Sequence, residues 1–425
     1  MKIFSDLHIH SRFSRACSKA INIQNLEKYA KIKGVNLLGT GDFTHPLWLK
    51  ELKENLKEDG SGVLKTESGF SFVLSTEIAN IYSQGGKGRR VHNVILAPSF
   101  EVVEQINAEL SKKGRLDYDG RPIFGFSCPE LVDIMKGVSD DVEIIPAHIW
   151  TPWFSLFGSK SGFDRIEDCF QDRVKHIYAL ETGLSSDPAM NWRLSQLDKY
   201  SLVSFSDSHS FWPWRMGREM TVFETDMNYK SIINAMRTKQ GLLETIEVDP
   251  SYGKYHVDGH RACNVSLEPK QSEKINNICP KCGRPLTIGV LHRVEELADR
   301  EDGFKPDGAK PFQSLIPLSE IISNVMGIEQ IYSKKIWEMY TKLIDAFGSE
   351  LNVLIEAPLE RIKEVVKEKI AKAIVNVRYG KVKINPGFDG IYGKIILNDK
   401  KHVSYNSPEK INRQTSLKQF QGDCD

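Results

Sequence analysis

Up to about residue 245, short β-type runs alternate with helical stretches, and this alternation restricts the chain to a sheet-and-helix architecture. The runs are Lys2–His8, Val35–Gly41, Phe70–Glu77, His92–Ala97, Glu143–His148, Ile177–Glu181 and Leu202–Ser206. Helical patterns such as Ile23–Lys33 and Trp48–Lys57 fall between them. Seven strands with helices interleaved predict an α/β barrel or a related sheet.

Asp249-Pro-Ser ends that pattern, and a short cysteine-bearing segment runs to about His292. The stretch from Pro317 to about Val375 reads as helical. Ile362, Val366, Ile370 and Ile374 recur every four residues as one apolar stripe. Two Tyr-Gly-Lys segments around Pro386-Gly-Phe-Asp-Gly follow and suggest a small hairpin unit. The expected division is 1–248, a metal-bearing barrel; 249–292, a zinc-binding module; 293–375, a mostly helical domain; 376–404, a small β unit; and 405–425, a polar, disordered tail.

With 425 residues, 40% of them hydrophobic, the chain can bury several cores. A net charge of +1 excludes polyanion binding by bulk charge, so any nucleic-acid contact must come from local patches. No run of about 18 apolar residues or signal-type stretch is seen, and seven cysteines include a Cys-x-x-Cys pair. A reducing cytoplasm and metal binding are the expectation, rather than a disulfide framework.

Polar residues recur where these runs end. Asp6-Leu-His8-Ile-His10 closes the first, and alternation places Asp6, His8 and His10 on one face. Asp42, Glu77, His148, and Asp207 with His209 close four others. His92 opens its strand, but antiparallel pairing with Phe70–Glu77 brings it beside Glu77 at the same rim. Nitrogen and oxygen ligands so gathered suit several ions of zinc, manganese or iron. Paired ions activate water for attack on a phosphate ester.

These residues resemble the polymerase-and-histidinol-phosphatase (PHP) family of metal-dependent phosphoesterases, over about the first 210 residues. The resemblance implies a distorted seven-stranded (β/α) barrel holding two to three divalent metals, zinc, manganese or magnesium. It assigns His8, His10, Glu77 and Asp207 to one ion, and Glu77, His92 and His148 to a second. Asp42 and His209 go to a third, and Asp207, Glu77 and His148 form the catalytic set. Many members carry a further ligand about six residues after the first motif. Here that stretch reads Ser14-Arg-Ala-Cys17, which leaves Cys17 or His45 as substitutes.

Two aromatic loops leave the expected metal face. One carries Trp150, Trp153 and Phe154, the other Trp212, Trp214 and Arg215. Such rings either stack nucleobases or fill a local core. Lys87, Arg89 and Arg90, in a Gly-rich stretch before His92, either follow a phosphate backbone or form an ordinary surface loop.

His260-x-x-Cys263 and Cys279-Pro-Lys-Cys282 have the spacing of a closed tetrahedral zinc site. His256 and His292 are nearby alternatives for the fourth ligand. The string from Cys279 through Arg300, together with Glu181-Thr-Gly-Leu-Ser-Ser-Asp-Pro and Pro386-Gly-Phe-Asp-Gly-Ile-Tyr-Gly, is similar to the endonuclease Q family over nearly the whole chain. That resemblance implies nicking of DNA 5′ of deoxyuridine, hypoxanthine, xanthine or an abasic site, leaving 3′-hydroxyl and 5′-phosphate ends. Gln414, Leu417 and Phe420 resemble a sliding-clamp box, although Gln421 replaces the second aromatic. A monomer docked on a clamp is the expectation. The competing readings are a small-molecule PHP phosphatase and a non-catalytic zinc-bearing DNA or clamp adaptor. Ser349–Ile362, leading into basic Lys363–Lys372, is faintly similar to helix–hairpin–helix DNA binders but lacks a hairpin Gly-x-Gly, and fits an amphipathic packing helix.

Overall fold

The computed structural model describes residues 1–396, so the box at Gln414, Leu417 and Phe420 lies outside the described residues. The strands, in order, are β1 (Lys2–Asp6), β2 (Leu37–Gly39), β3 (Leu64–Lys65), β4 (Ser71–Gln84), β5 (Lys87–Ala97), β6 (Ile123–Phe124), β7 (Glu143–Pro146), β8 (Ala179–Glu181), β9 (Ser201–Val203), β10 (Met220–Glu224) and β11 (Leu242–Glu247). Beyond them come β12 (Asp258–His260), β13 (Val265–Leu267), β14 (Phe312–Ser314), β15 (Lys383–Asn385) and β16 (Lys394–Ile396).

The class is mixed α/β. A curled ten-stranded sheet has the order β14-β11-β10-β1-β2-β4-β5-β7, with β3 and β6 alongside β4. Its centre is parallel, β1 to β2 and β2 to β4. Those strands are buried on both faces, which accounts for runs such as the wholly buried Leu37–Gly39. The parallel pair β8–β9 lies off this path but bridges its curl. The Ile149 N–H donates to Glu181 O beside β8, and Thr182 N–H to Val203 O. Beyond β9, Ser208 O accepts from His10 N–H at 2.9 Å, returning the chain to the end of β1. Ile3, Leu7, Val73, Val94, Ile145, Val203 and Phe205 belong to one buried cluster, and a larger one lies among the helices.

Local chemistry explains the helices. Asn22 caps Ile23–Lys33 by accepting from Asn25 N–H, and Gly34, with φ of 100°, ends it in a left-handed conformation that suits glycine. Ser99 and Ser127 cap Phe100–Ser111 and Cys128–Val138 in the same way as Asn22.

Two expectations are revised. The third and fourth runs continue as a long antiparallel hairpin, β4 with β5, turning at Gly85-Gly86. Both glycines have positive φ, 60° and 73°, as a tight two-residue turn demands. His92 is thus in mid-strand, and Lys87, Arg89 and Arg90 lie on a strand rather than in a surface loop. The stripe from Ile362 to Ile374 spans two helices, Leu359–Val365 and Glu368–Arg378, separated by extended Val366; all four stripe residues are buried. Within residues 293–375, β14 adds a short strand parallel to β11.

Helices Leu318–Met326, Lys334–Phe347 and Glu368–Arg378 dock against the sheet domain. Lys33 donates from Nζ to Glu350 Oε1 (2.7 Å) and Pro213 O (2.8 Å), and Glu350 also accepts from Tyr340 Oη (2.7 Å) and Leu318 N–H (3.0 Å). A buried charge is tolerable here because it is paired and both partners make further hydrogen bonds. Among the described residues, no helix is long and apolar enough to cross a membrane.

Candidate metal centre

The strand ends converge as their alternation requires. His8, His10, Glu77 and Asp207 place one ligand atom each within 4.8 Å of one another, and so do Glu77, His92 and His148. Glu77 belongs to both sets and is fully buried. Its Oε2 lies 3.2 Å from His10 Nε2 and 3.6 Å from His8 Nε2. Its Oε1 lies 2.6 Å from His92 Nδ1 and 3.1 Å from His148 Nε2. A carboxylate offering one oxygen to each group has the form of a bridging ligand.

The site fits cations on two independent counts. First, His8 Nε2 is buried and makes no hydrogen bond, yet it faces Glu77 and Asp207 Oδ1, the latter at 3.7 Å. A buried ring nitrogen left without a partner costs free energy. Second, the carboxylates attract positive charge strongly. Burial would lower His8 and His10, but Glu181 and Glu77 hold the first, and Asp42 and Asp207 the second, well above the ordinary imidazole value. Burial alone would raise Asp207; the hydrogen bond from His10 and the charges of His8 and His10 hold it low instead. His92 differs, since burial outweighs Glu77 and brings it down to about 4, so its ring is neutral at pH 7.

Strain accompanies this geometry. Asp42, His148 and Asp207 have φ of 47°, 31° and 47°, in the left-handed region that non-glycine residues rarely occupy. Each follows a strand end and turns onto the rim.

Asp42 and His209 belong to no group of three or more candidate ligands among the described residues. Asp42 accepts from His10 Nδ1 (2.9 Å), Ser11 N–H (2.6 Å), Ser11 Oγ (2.7 Å) and Ser14 Oγ (2.8 Å). Its lone pairs are committed to orienting His10, and these partners hold its carboxyl below the ordinary value although burial opposes them. His209 packs its ring 4.6 Å from that of His10 and points Nδ1 at Asp207 O. Of the substitutes, Cys17 is half-buried with its thiol pushed by burial up to about 12, and His45 stacks on Phe13. Asp6 is a staple, accepting from Ser206 N–H, Ser206 Oγ and Gly217 N–H.

The aromatic loops separate by role. Trp153 and Phe154 line a cavity of about 330 Å³ together with His92, His148, Arg121, Asp207, Lys254, Tyr255 and Tyr392. Trp150 is core: it is 1% exposed, donates to Asn191 Oδ1 and packs on Phe157. Trp212 and Trp214 stack on each other at 5.0 Å and meet Trp337 edge-on, so they cement the helical unit to the barrel. Arg215 follows them and is not among the residues lining the cavity; its charge acts on Tyr252 and Glu320. Arg89 is also committed, donating to Gly162 O and lying over Phe163, while Lys87 and Arg90 stay exposed.

His260, Cys263, Cys279 and Cys282 form a third group of possible ligands, with His260 Nδ1 3.4 Å from Cys282 Sγ. His292 is instead paired with Asp258, at 2.6 Å, and His256 lies outside the group. Burial would raise the Cys279 thiol, but the N–H groups of Lys281 and Cys282 bring it down to about 6, so it is a ready thiolate ligand.

The comparisons agree with this geometry. The family model for the MJ0043 C-terminal domain matches residues 317–381. The uncharacterized protein MJ0043 of Methanocaldococcus jannaschii is 34% identical over 273 residues, 62% of this chain, which spans only 33% of that protein's length. The uncharacterized protein YqxK of Bacillus subtilis is 30% identical over 417 residues, covering 93% of this chain and 99% of that protein. The crystal structure of the lesion-specific endonuclease Q of Pyrococcus furiosus superimposes with a TM-score of 0.84 at 33% identity, covering 94% of this chain and 96% of that one. The chain belongs to the endonuclease Q family. A second endonuclease Q structure, in complex with a 27-mer duplex substrate carrying an abasic lesion at the active site, matches equally well, with 34% identity and a TM-score of 0.84. The family assigned from the Cys279–Arg300 string is therefore correct, and the chain is a metal-dependent endonuclease.

Two further residues that the ligand assignment did not include stand at this site. Glu181 accepts from His8 Nδ1 at 2.9 Å and from His148 N–H at 2.7 Å, fixing which nitrogen of His8 faces the cluster. Arg121 donates from Nη1 to Glu77 Oε2 at 2.8 Å and lines the cavity. Its neighbour must be glycine: a Cβ on Gly120 would come within 2.2 Å of Asp42 Oδ2. Glu181 follows the rule of polar strand ends, whereas Arg121 lies in an irregular loop with no periodicity to mark it.

Proposed function

We propose that this chain nicks DNA by hydrolysing the phosphodiester 5′ of deaminated bases (deoxyuridine, hypoxanthine or xanthine) and of abasic sites, leaving 3′-hydroxyl and 5′-phosphate ends. The observation that carries the reading is the pair of ligand sets sharing Glu77, of which His92, His148 and Asp207 line a cavity of about 330 Å³ with several aromatic rings. Such a cavity is in the range of small-ligand pockets, so it takes one nucleotide rather than a duplex, and the target must be extruded. Divalent ions held by His8, His10, Glu77, Asp207, His92 and His148 would supply an activated water and neutralise the departing oxyanion. The chain's own groups do the rest. Glu77 ties the two ligand sets together, Glu181 sets the tautomer of His8, and Arg121 presents a guanidinium to the phosphate. The endonuclease Q structure bound to abasic duplex supports DNA as the partner. Zinc suits the His260–Cys282 set, whose donors are one nitrogen and three sulfurs. A sliding clamp held by the tail, and a monomeric state, belong to the same proposal.

The test is incubation of purified protein with end-labelled duplexes containing one deoxyuridine, one deoxyinosine or one abasic site, with Mg²⁺ or Mn²⁺. A nick immediately 5′ of the lesion, absent from undamaged duplex and from the Asp207→Ala protein, is the expected result. No nick on any duplex, together with turnover of a chromogenic phosphomonoester, would replace this reading with the phosphatase. No hydrolysis of either would leave the adaptor.

A further inference from the structure

The aromatic lining of the cavity is assembled from separate parts of the chain, and Trp153 meets Tyr255 edge-on at 5.6 Å. Trp153 and Phe154 leave the barrel just after His148, whereas Tyr255 and Tyr392 belong to the knuckle and to the segment that follows the helices. Tyr392 is half exposed and sits on a short strap, residues 386–393, so its position depends on how that strap is held.

The strap is tied along its length. Gly387 N–H donates to Ser251 O (2.8 Å), Gly390 N–H to Lys254 O (3.0 Å) and Gly393 N–H to Tyr252 O (3.0 Å), while Val257 N–H donates to Gly387 O (3.2 Å). Asp389 reaches into the knuckle itself. Its Oδ2 accepts from Arg261 N–H at 2.6 Å and its Oδ1 from the Thr287 hydroxyl at 2.7 Å. Arg261 directly follows the ligand His260, and Thr287 is hydrogen-bonded in both directions to Gly259, one residue before it. Phe388 lies flat on Gly259, where even a Cβ would come within 2.4 Å of the ring. The backbone that carries His260 therefore also carries the strap.

Resting on the function proposed above, we propose that Tyr392 is the surface on which the extruded damaged base stacks, and that the His260–Cys282 knuckle holds it in place through Asp389. A half-exposed phenol ring in the lining that it shares with His92, His148 and Asp207 offers a base the face that Lys254 leaves uncovered. Lys254 Nζ stands 4.6 Å from the ring centroid and faces the same cavity, where it can meet the nucleotide's negative charge. Tyr392 is on this account a lesion-sorting residue, because a deaminated base has a ring to stack and an abasic sugar has none.

The experiment compares kcat and KM for nicking a deoxyuridine duplex and an abasic duplex of the same sequence, using the full chain. In parallel, fluorescence anisotropy measures binding of both duplexes in an Asp207→Asn background, without turnover. Loss of one base stack corresponds to roughly 5- to 150-fold. Tyr392→Ala should therefore lower kcat/KM on deoxyuridine at least fivefold more than on the abasic duplex, through KM, with the same ratio in binding. Tyr392→Trp should restore the ratio. Asp389→Ala should reproduce the Tyr392→Ala ratio with zinc content retained, and Asp389→Asn should recover part of it. Equal losses on both duplexes, or no loss on deoxyuridine, would overturn the assignment. A wild-type protein that nicks neither duplex would instead overturn the endonuclease reading, and this one with it.

Discussion

Glu181 shows how much of this site lies one bond behind the ligands. It fixes His8 through Nδ1, so that Nε2 faces Glu77 and Asp207. Outer carboxylates of this kind commonly carry 10- to 100-fold in metal affinity or activity. Glu181→Gln should cost about that much in metal affinity, measured by titrating Mn²⁺ into the apo-protein, with the melting temperature of the apo form little changed. A second prediction concerns two acids below the centre. Ser204 Oγ lies 3.0 Å from Glu219 Oε2 and 2.9 Å from Glu247 Oε2. One hydroxyl proton cannot serve two carboxylates, so at least one carboxyl is a neutral acid. Burial pushes Glu247 up to about 8 and Glu219 well above the ordinary carboxyl value. The folded state therefore holds a proton that the unfolded chain releases above about pH 4.5. The contribution of Glu247 to stability thus falls as pH rises from about 4.5 to about 8, by at most about 1.4 kcal/mol per unit, and is level beyond. Glu247→Gln should match the wild type in thermal unfolding at pH 5 and melt higher at pH 8. At this scale the sequence was legible where a side chain ends a strand, as with Glu77, His148 and Asp207. It left two readings open at Trp150, Trp212 and Trp214, because an aromatic loop reads the same whether its rings face a nucleotide or a neighbouring helix.

Elements were legible wherever periodicity was long. Ile23–Lys33 begins and ends where the pattern placed it, since Asn22 and Gly34 are chemical stops as well as pattern breaks. The β4–β5 hairpin was missed at its tip, although Gly85-Gly86 between two β-type runs is a recognised turn signal. Its charged flanks, Lys87 and Arg90, disguised the strand as a loop. The stripe from Ile362 to Ile374 keeps its apolar spacing across a helix break, which periodicity alone cannot register. The contact between Ile23–Lys33 and the helical unit gives a testable case. Lys33→Met removes the partner of Glu350, which stays buried among Leu318 and Tyr340. Stranding a buried charge in this way costs about 3–5 kcal/mol. Chemical denaturation should show that loss for Lys33→Met, and Glu350→Gln in the same chain should recover part of it.

The whole molecule is more unified than its sequence segments suggest. The matched family domain at 317–381 reads as a separable piece, yet β14 completes the barrel's sheet just before it, and Trp337 packs against Trp212 and Trp214. Calorimetry of the full chain should give one principal transition. A chain ending at residue 316 should expose Trp212, Trp214 and Lys33 and aggregate instead of folding as an isolated barrel, which size-exclusion chromatography would report. An intact, monodisperse barrel from that truncation would refute the dependence. The spacing of the metal ligands has a temporal consequence as well. His10 must meet Asp207 across 197 residues, and the strand end that delivers Asp207 returns only after the intervening curl has closed. During synthesis, His8, His10, Glu77, His92 and His148 leave the ribosome before Asp207 does. A half-made chain can hold stray ions but cannot complete the first ligand set, so the cutting centre is armed only by a finished barrel.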